Sequence, residues 1–378
     1  MNLPVNLPIS DGGVRNAPGD RAFRFEPGSV VRTQAGRGAI SDLAVSPGRL
    51  ILAHYGSDAI SVLDTTTCRV AATISGLAEP FAVATSGAED ARAYVSTARA
   101  ACDSVDVVDV CTDRLLASHR VAHRISDLAV SPDGTRSYAA RNGVRGADVA
   151  IIDTEAGECG VIELAATADV TTECVRISRD GRRLYVGTNG PAGGALHVVD
   201  LDAAGPPRIA AVVELGLPIR DVAVSADGRT AYVASCGPVV GAVVDIVDTG
   251  VDTRLDTGVG TRAAKIIRTR KIDEITGPLT RLTLSRDGGR AYAISDDRVT
   301  VLSTRTLDVV GEITEAEHPS CIAESPEGTR LYVGDFAGAV LAARIAAPAP
   351  AAIASEPHHG ESSTAWLPPF GAREPALA

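Results

Sequence analysis

One phrase recurs seven times along the 378-residue chain: an apolar strand, a tight turn, then a second apolar strand usually centred on Tyr. The copies are ISDLAVSPGRLILA (40–53), FAVATSGAEDARAYVS (81–96), ISDLAVSPDGTRSYAA (125–140), CVRISRDGRRLYVG (174–187), RDVAVSADGRTAYVA (220–234), TRLTLSRDGGRAYAI (280–294) and CIAESPEGTRLYVG (321–334). Their anchors Ile51, Tyr94, Tyr138, Tyr185, Tyr232, Tyr292 and Tyr332 are separated by 43, 44, 47, 47, 60 and 40 positions. A period of about 40–50 residues with this strand content is that of one propeller blade. The repeat predicts an all-β fold, a seven-bladed β-propeller with four-stranded antiparallel blades.

Each copy supplies the rest of a blade in the same order. A third strand ends in Asp-Thr, as in AISVLDT (59–65), ADVAIIDT (147–154) and AVVDIVDT (242–249), and a fourth follows, as in RVAATI (69–74) or VVGEI (309–313). Asp-Gly at 133–134, 180–181, 227–228 and 287–288 supplies the left-handed backbone that a turn between the first two strands needs. The Asp of Asp-Thr accepts hydrogen bonds from its own loop and ends the third strand. The last copy runs through GAVLAARIA (338–346) and lacks a fourth strand, while GSVVRTQ (28–34) is a spare strand before the first copy. The ring is therefore expected to close with the N-terminal strand in the last blade, which removes an unpaired edge. The domain reading is a disordered extension over 1–27, the propeller over 28–346 and a Pro/Ala-rich disordered tail over 347–378.

Composition agrees with many short strands. Hydrophobic residues make up 45% but aromatics only 3%, and 37 Gly and 21 Pro favour turns over long helices. A net charge of -11 argues against a nucleic-acid partner, because a phosphate backbone needs a basic footprint. No stretch approaches the roughly 18 apolar residues of a membrane span, and the opening MNLPVNLPISDGG has neither a basic nor an apolar leader segment, so a cytoplasmic location is expected, with the cell envelope by a non-standard route as the alternative. The seven cysteines, odd in number and without a C-x-x-C pair, read as reduced thiols.

The LYVGTN segment (184–189), with the S-P-D-G turn at 131–134, resembles the YVTN family of bacterial seven-bladed β-propellers over residues 28–346. That resemblance implies the fold. For function it implies only a range, from surface-layer and periplasmic proteins to relatives of lactonases and quinone-dependent dehydrogenases.

No G-x-S-x-G, H-E-x-x-H, phosphate loop or dinucleotide fingerprint is present. A propeller assembles its sites from one residue per blade, so equivalent positions carry the information. The residue before the innermost apolar run reads Asp42, Ala82, Asp127, Cys174, Asp221, Arg281 and Cys321. Asp42, Asp127, Asp221 and Arg281 are thus candidates for a polar ligand pocket, or a loose metal site, at one mouth of the channel. The competing reading, taken as the default, has each Asp cap its own strand through a local backbone bond. His54, His119, His123, His197, His318, His358 and His359 lack ligand spacing, and Trp366, the sole tryptophan, lies outside the repeats, which disfavours a quinone.

Two segments break the repeat. The long spacing between the fifth and sixth copies holds an insertion, about 250–278, read as a loop, with the basic run Arg262, Lys265, Arg268, Arg270 and Lys271. The tail carries TAWLPPF (364–370) around Trp366. These are the candidate partner-binding residues. The expectation for function is a non-catalytic protein-interaction scaffold, monomeric and without a cofactor, its protein partners unspecified. A lactonase-like or metal-dependent hydrolase using Asp42, Asp127 and Asp221 is the first alternative, and a ligand-binding sensor the second.

Overall fold

Seven sheets stand around a common axis, and their first strands contact one another in a closed cycle. The computed structural model describes residues 7–8, 23–36, 38–86, 92–121, 124–201, 205–250, 263–275 and 277–346. The innermost strands of blades 1 to 7 are Ile40–Ser46, Pro80–Thr85, Ile125–Val130, Thr171–Ile177, Ile219–Val224, Arg281–Leu284 and Pro319–Glu324. Blades 1 to 6 then add antiparallel strands outward in chain order, as in blade 4 with Arg183–Gly190, Gly193–Asp200 and Arg208–Leu215.

Position in the blade dictates the residue pattern. Second and third strands are covered on both faces by neighbouring blades, so they read as continuous apolar runs such as Leu50 to Ala53, all buried. Fourth strands face solvent, and Arg69–Ser75 keeps only Ile74 buried. Among the described residues there are seven buried apolar clusters, one for each seam between adjacent blades. Stability therefore comes from seven sheet-on-sheet contacts.

Polar bonds lock the same seams. The Tyr94 hydroxyl of blade 2 donates to the Gly134 carbonyl of blade 3 at 2.7 Å, and Tyr185 of blade 4 does so to Gly228 of blade 5 at 2.8 Å. Gly134 and Gly228 take φ of 72° and 69°, as the Asp-Gly turns require. Asn189, which ends LYVGTN, pairs with the Ile219 backbone of the next blade: Ile219 N–H donates to its Oδ1 at 2.7 Å and its Nδ2 donates to Ile219 O at 2.9 Å. Asp64, Asp109 and Asp153 each accept two N–H bonds from the loop that follows them, which depresses their carboxyl pKa.

The N-terminal strand Val31–Gln34 pairs antiparallel with Ala339–Arg344, running from Val31 opposite Ala342 to Gln34 opposite Ala339, and completes blade 7. A two-residue strand, Leu7–Pro8, lies outside it. Closure begins earlier than the sequence suggests. Residues from Phe23 to Pro27, assigned above to a disordered extension, are part of the propeller: Phe23 is fully buried, donates its N–H to Val310 O at 2.9 Å, and stacks edge-on against Phe25 at 5.1 Å and Tyr292 at 5.9 Å. It packs against Gly311, where an added Cβ would come within 3.0 Å of it.

The basic run also differs from expectation. Lys265–Lys271 is the outer strand of blade 5, paired with Gly241–Asp248, and not a loop. The extra length lies in 251–262, outside the described residues together with Arg262, Trp366 and the whole of 347–378.

Candidate functional site

The first strand of each blade brings two kinds of position to the channel. The positions aligned in the sequence begin the innermost apolar run, and their pairing partners on the second strand are equivalent: Asp42 opposite Ala53, Asp127 opposite Ala140, Asp221 opposite Ala234. Asp42, Asp127, Asp221 and Arg281 all line one mostly polar cavity of about 170 Å³, with Thr283, Cys321, Leu43, Val83, Leu128 and Ile322 also in its lining.

Three aspartates sit on alternate blades, and each reaches across a seam. Asp42 Oδ2 accepts Val83 N–H of blade 2 at 3.0 Å, Asp127 Oδ2 accepts Val175 N–H of blade 4 at 2.9 Å, and Asp221 Oδ2 accepts Leu282 N–H of blade 6 at 3.0 Å. This revises the default reading of purely local caps. Asp127 and Asp221 do accept the following N–H in their own strands, from Leu128 at 2.9 Å and Val222 at 2.8 Å, but the other oxygen fastens the next blade. Local sequence cannot display that bond, because its donor lies some 41 to 61 residues away.

One central residue was missed. Arg176 Nη1 lies 2.5 Å from Asp127 Oδ2 and its Nη2 lies 2.5 Å from Asp221 Oδ1, so a single guanidinium bridges blades 3 and 5 from blade 4. It stands opposite Tyr185, where the other blades place Ala44, Ala84, Ala129, Ala223, Thr283 and Ala323 against their own anchors. A lone charge among small residues at that register was the available signal. Burial opposes the charge on Arg176, but Asp127 and Asp221 outweigh it and hold its pKa well above the ordinary value.

The second couple is looser. Arg281 Nη2 is 3.8 Å from Asp42 Oδ1, beyond hydrogen-bond distance. Burial pushes the Asp42 carboxyl pKa up, with Arg281 and the Val83 N–H acting against it. For Arg281, burial opposes the charge, and Asp42 followed by Asp127 and Asp221 more than offsets this, raising its pKa. Burial, reinforced by Asp42, pushes the Cys321 thiol up to about 12, and burial with Asp221 raises Cys174 further. Neither is a thiolate nucleophile at neutral pH.

The remaining candidates lie elsewhere. His54 is buried against Ser61 Oγ at 2.8 Å, and His197 against Thr188 Oγ1 at 3.0 Å; burial lowers the first and takes the second down to about 4. His119 and His318 bond backbone carbonyls, while His123, His358 and His359 lie outside the described residues. On blade 5, Arg268 Nη1 donates to Arg305 O at 2.7 Å and Arg270 Nη1 pairs with Asp308 at 2.5 Å, both on blade 6, while Lys271 pairs with Asp273 at 2.7 Å.

Among known proteins, the chain is 40% identical over 341 residues to the seven-bladed beta-propeller protein Rv1057 of Mycobacterium tuberculosis, covering 86% of each chain. It also superposes on hydrazine synthase of Kuenenia stuttgartiensis with a TM-score of 0.67, covering 82% of this chain and 97% of that one. At 21% identity this second likeness concerns the fold alone. No family model matches the chain.

Proposed function

Since this chain belongs to the bacterial seven-bladed β-propeller family, we propose that it is a non-catalytic protein-interaction scaffold. The observation that carries this reading is the use made of the channel charges. Asp127 and Asp221 have both carboxylate oxygens engaged, by backbone N–H groups of two blades each and by Arg176. A hydrolytic metal would need those lone pairs free and converging, and a guanidinium stands between them instead. Their chemistry fits holding blades in register. The TN-end clamp of Asn189 on Ile219 gives a structural reason for a YVTN-type repeat and supports assignment to that type.

The faces and outer edges of the ring are then the recognition surfaces. Lys265–Lys271 is the preferred edge: Ile267 is 55% exposed and Lys265 is exposed in the same strand, on a protein otherwise acidic. Arg268 and Arg270 serve the seam to blade 6 and Lys271 pairs with Asp273, so Lys265 is the charge of this strand left for recognition. The test is native mass spectrometry with elemental analysis of the full chain, alongside assays on lactones and esters. A metal-free protein without turnover supports the scaffold. A stoichiometric divalent ion, or turnover abolished by Asp127→Asn, overturns it in favour of the hydrolase.

A further inference from the structure

The cavity at the channel mouth holds five charged groups, of which three are tied together and two are not. Asp127, Arg176 and Asp221 form a closed set of short bonds. The Arg281 guanidinium has no hydrogen bond among the described residues, and its one ion pair there is the 3.8 Å approach to Asp42. Asp42 has one oxygen on Val83 N–H and the other facing Arg281 at that distance. Thr283, beside them in the same lining, has a hydroxyl without a hydrogen bond among the described residues. The Arg281 side chain is 22% exposed at the channel mouth, so its fork of donors is open to an incoming ligand.

We propose that Asp42 and Arg281 form a recognition site for a small amphoteric molecule of the α-amino-acid class. The guanidinium presents a planar fork matched to a carboxylate, and Asp42 Oδ1 presents an acceptor for an ammonium group adjacent to it. The two stand close enough to serve the two ends of one α-amino acid, and neither needs to break an interblade bond to do so, because Val83 N–H engages the other oxygen of Asp42. The aspartates outnumber the arginines by one in this cavity, which disfavours a plain anion and favours a ligand that also brings a positive group. A cavity of about 170 Å³ has room for a small molecule such as glycine, alanine or serine. This inference is independent of the scaffold reading, since a ring can carry partners on its faces with or without a ligand in its channel.

Isothermal titration and ligand-observed NMR on the full chain test it, using glycine, L-alanine and L-serine as probes, propionate as the carboxylate without the amine, and ethylamine as the amine without the carboxylate. The expected result is binding of the amino acids, with each one-group control weaker by about tenfold or more. Asp42→Asn keeps the acceptor for Val83 N–H and should lose the preference for the ammonium group. Arg281→Gln should lose about tenfold or more in alanine affinity, with Arg281→Lys intermediate because charge remains and the fork does not. Propionate binding as tightly as alanine, alanine affinity retained in Arg281→Gln, or no binding of any amino acid to the wild-type chain would each overturn the proposal. The wild-type comparison needs no variant, so a poorly folded substitution leaves the test intact.

Discussion

The Arg176 guanidinium sits 2.5 Å from Asp221 although 45 residues and a blade boundary separate them, and it holds Asp127 of a third blade at the same distance. Both aspartate side chains are almost fully buried. Removing the cation leaves two almost fully buried carboxylates without their counter-charge.

Arg176→Met is therefore expected to destabilise the fold by about 3 kcal/mol or more, the usual cost of breaking a buried pair from one side. Adding Asp127→Asn and Asp221→Asn to it should recover part of the loss, because neutral amides no longer need the cation, although each amide oxygen keeps only one of the two backbone N–H bonds its carboxylate accepted. Urea unfolding of the single and triple variants checks this, and a triple variant no more stable than the single would contradict the stated cause.

Asp245 gives a pH prediction. It is buried in the third strand of blade 5, with the Thr269 hydroxyl as its hydrogen-bond donor, and burial raises its carboxyl pKa. The folded protein then holds this proton more tightly than the unfolded chain does. Its contribution is fully present below the ordinary Asp value and is lost as pH rises through the raised one. Turn aspartates such as Asp133 and Asp227, whose pKa is lowered first by the Ser131 and Ser225 hydroxyls, act in the opposite sense. Comparing Asp245→Asn with wild type isolates one group: the variant should lose the downward slope above the carboxylate range and melt higher at neutral pH. Parallel melting curves across pH would count against it.

Phe23 tests where closure begins. Phe23→Ala removes a fully buried ring from the seam between blades 6 and 7 and should cost about 3–5 kcal/mol. Deleting residues 1–36 removes the outer strand of blade 7 as well, and should abolish cooperative unfolding. Differential scanning calorimetry of both variants reads the two effects, and a truncated chain melting like wild type would refute closure by this strand.

The seam between blades 7 and 1 has a gap that engineering can fill. Between Ser46 and Arg49 the first turn has only Pro47 and Gly48, against four residues between Ser131 and Arg136 in blade 3. An added Cβ at Gly48 meets nothing within 4 Å, whereas Gly134 and Gly228 touch the Tyr of the preceding blade, and a cavity of about 140 Å³ opens beside Gly48 and Tyr332. Replacing Pro47-Gly48 with Pro-Asp-Gly-Thr should give Tyr332 the carbonyl that Tyr94 and Tyr185 already have. A gain of about 1 kcal/mol in thermal or chemical unfolding is expected, the worth of one net hydrogen bond.

The blades were legible because a buried sheet writes its period into the residues: Tyr94, Tyr185 and Tyr292 recur where two blades press together, and Asp-Gly recurs where the backbone must turn left-handed. Aligning those periods also gathered Asp42, Asp127, Asp221 and Arg281 into one cavity. What these side chains touch was hidden. Each has a partner in another blade, a backbone N–H for the three aspartates and the Asp42 carboxylate for Arg281, chosen by the ring's geometry and by no local pattern. The strand Lys265–Lys271 was hidden for a different reason: solvent covers its outer side, so KIIRTRK carries almost no burial signal, and the long connection before it resembles the start of a loop.

A closed cycle of seven similar seams has no true beginning. Ser29 and Arg344 already exchange hydrogen bonds where the strand from the N-terminal side lies along the last repeat. The chain order is thus one of several ways to thread the same circle. A circular permutant joined near these residues and opened at an exposed connection between two other blades should assemble the same ring, with its seam of weakest closure moved to a new address.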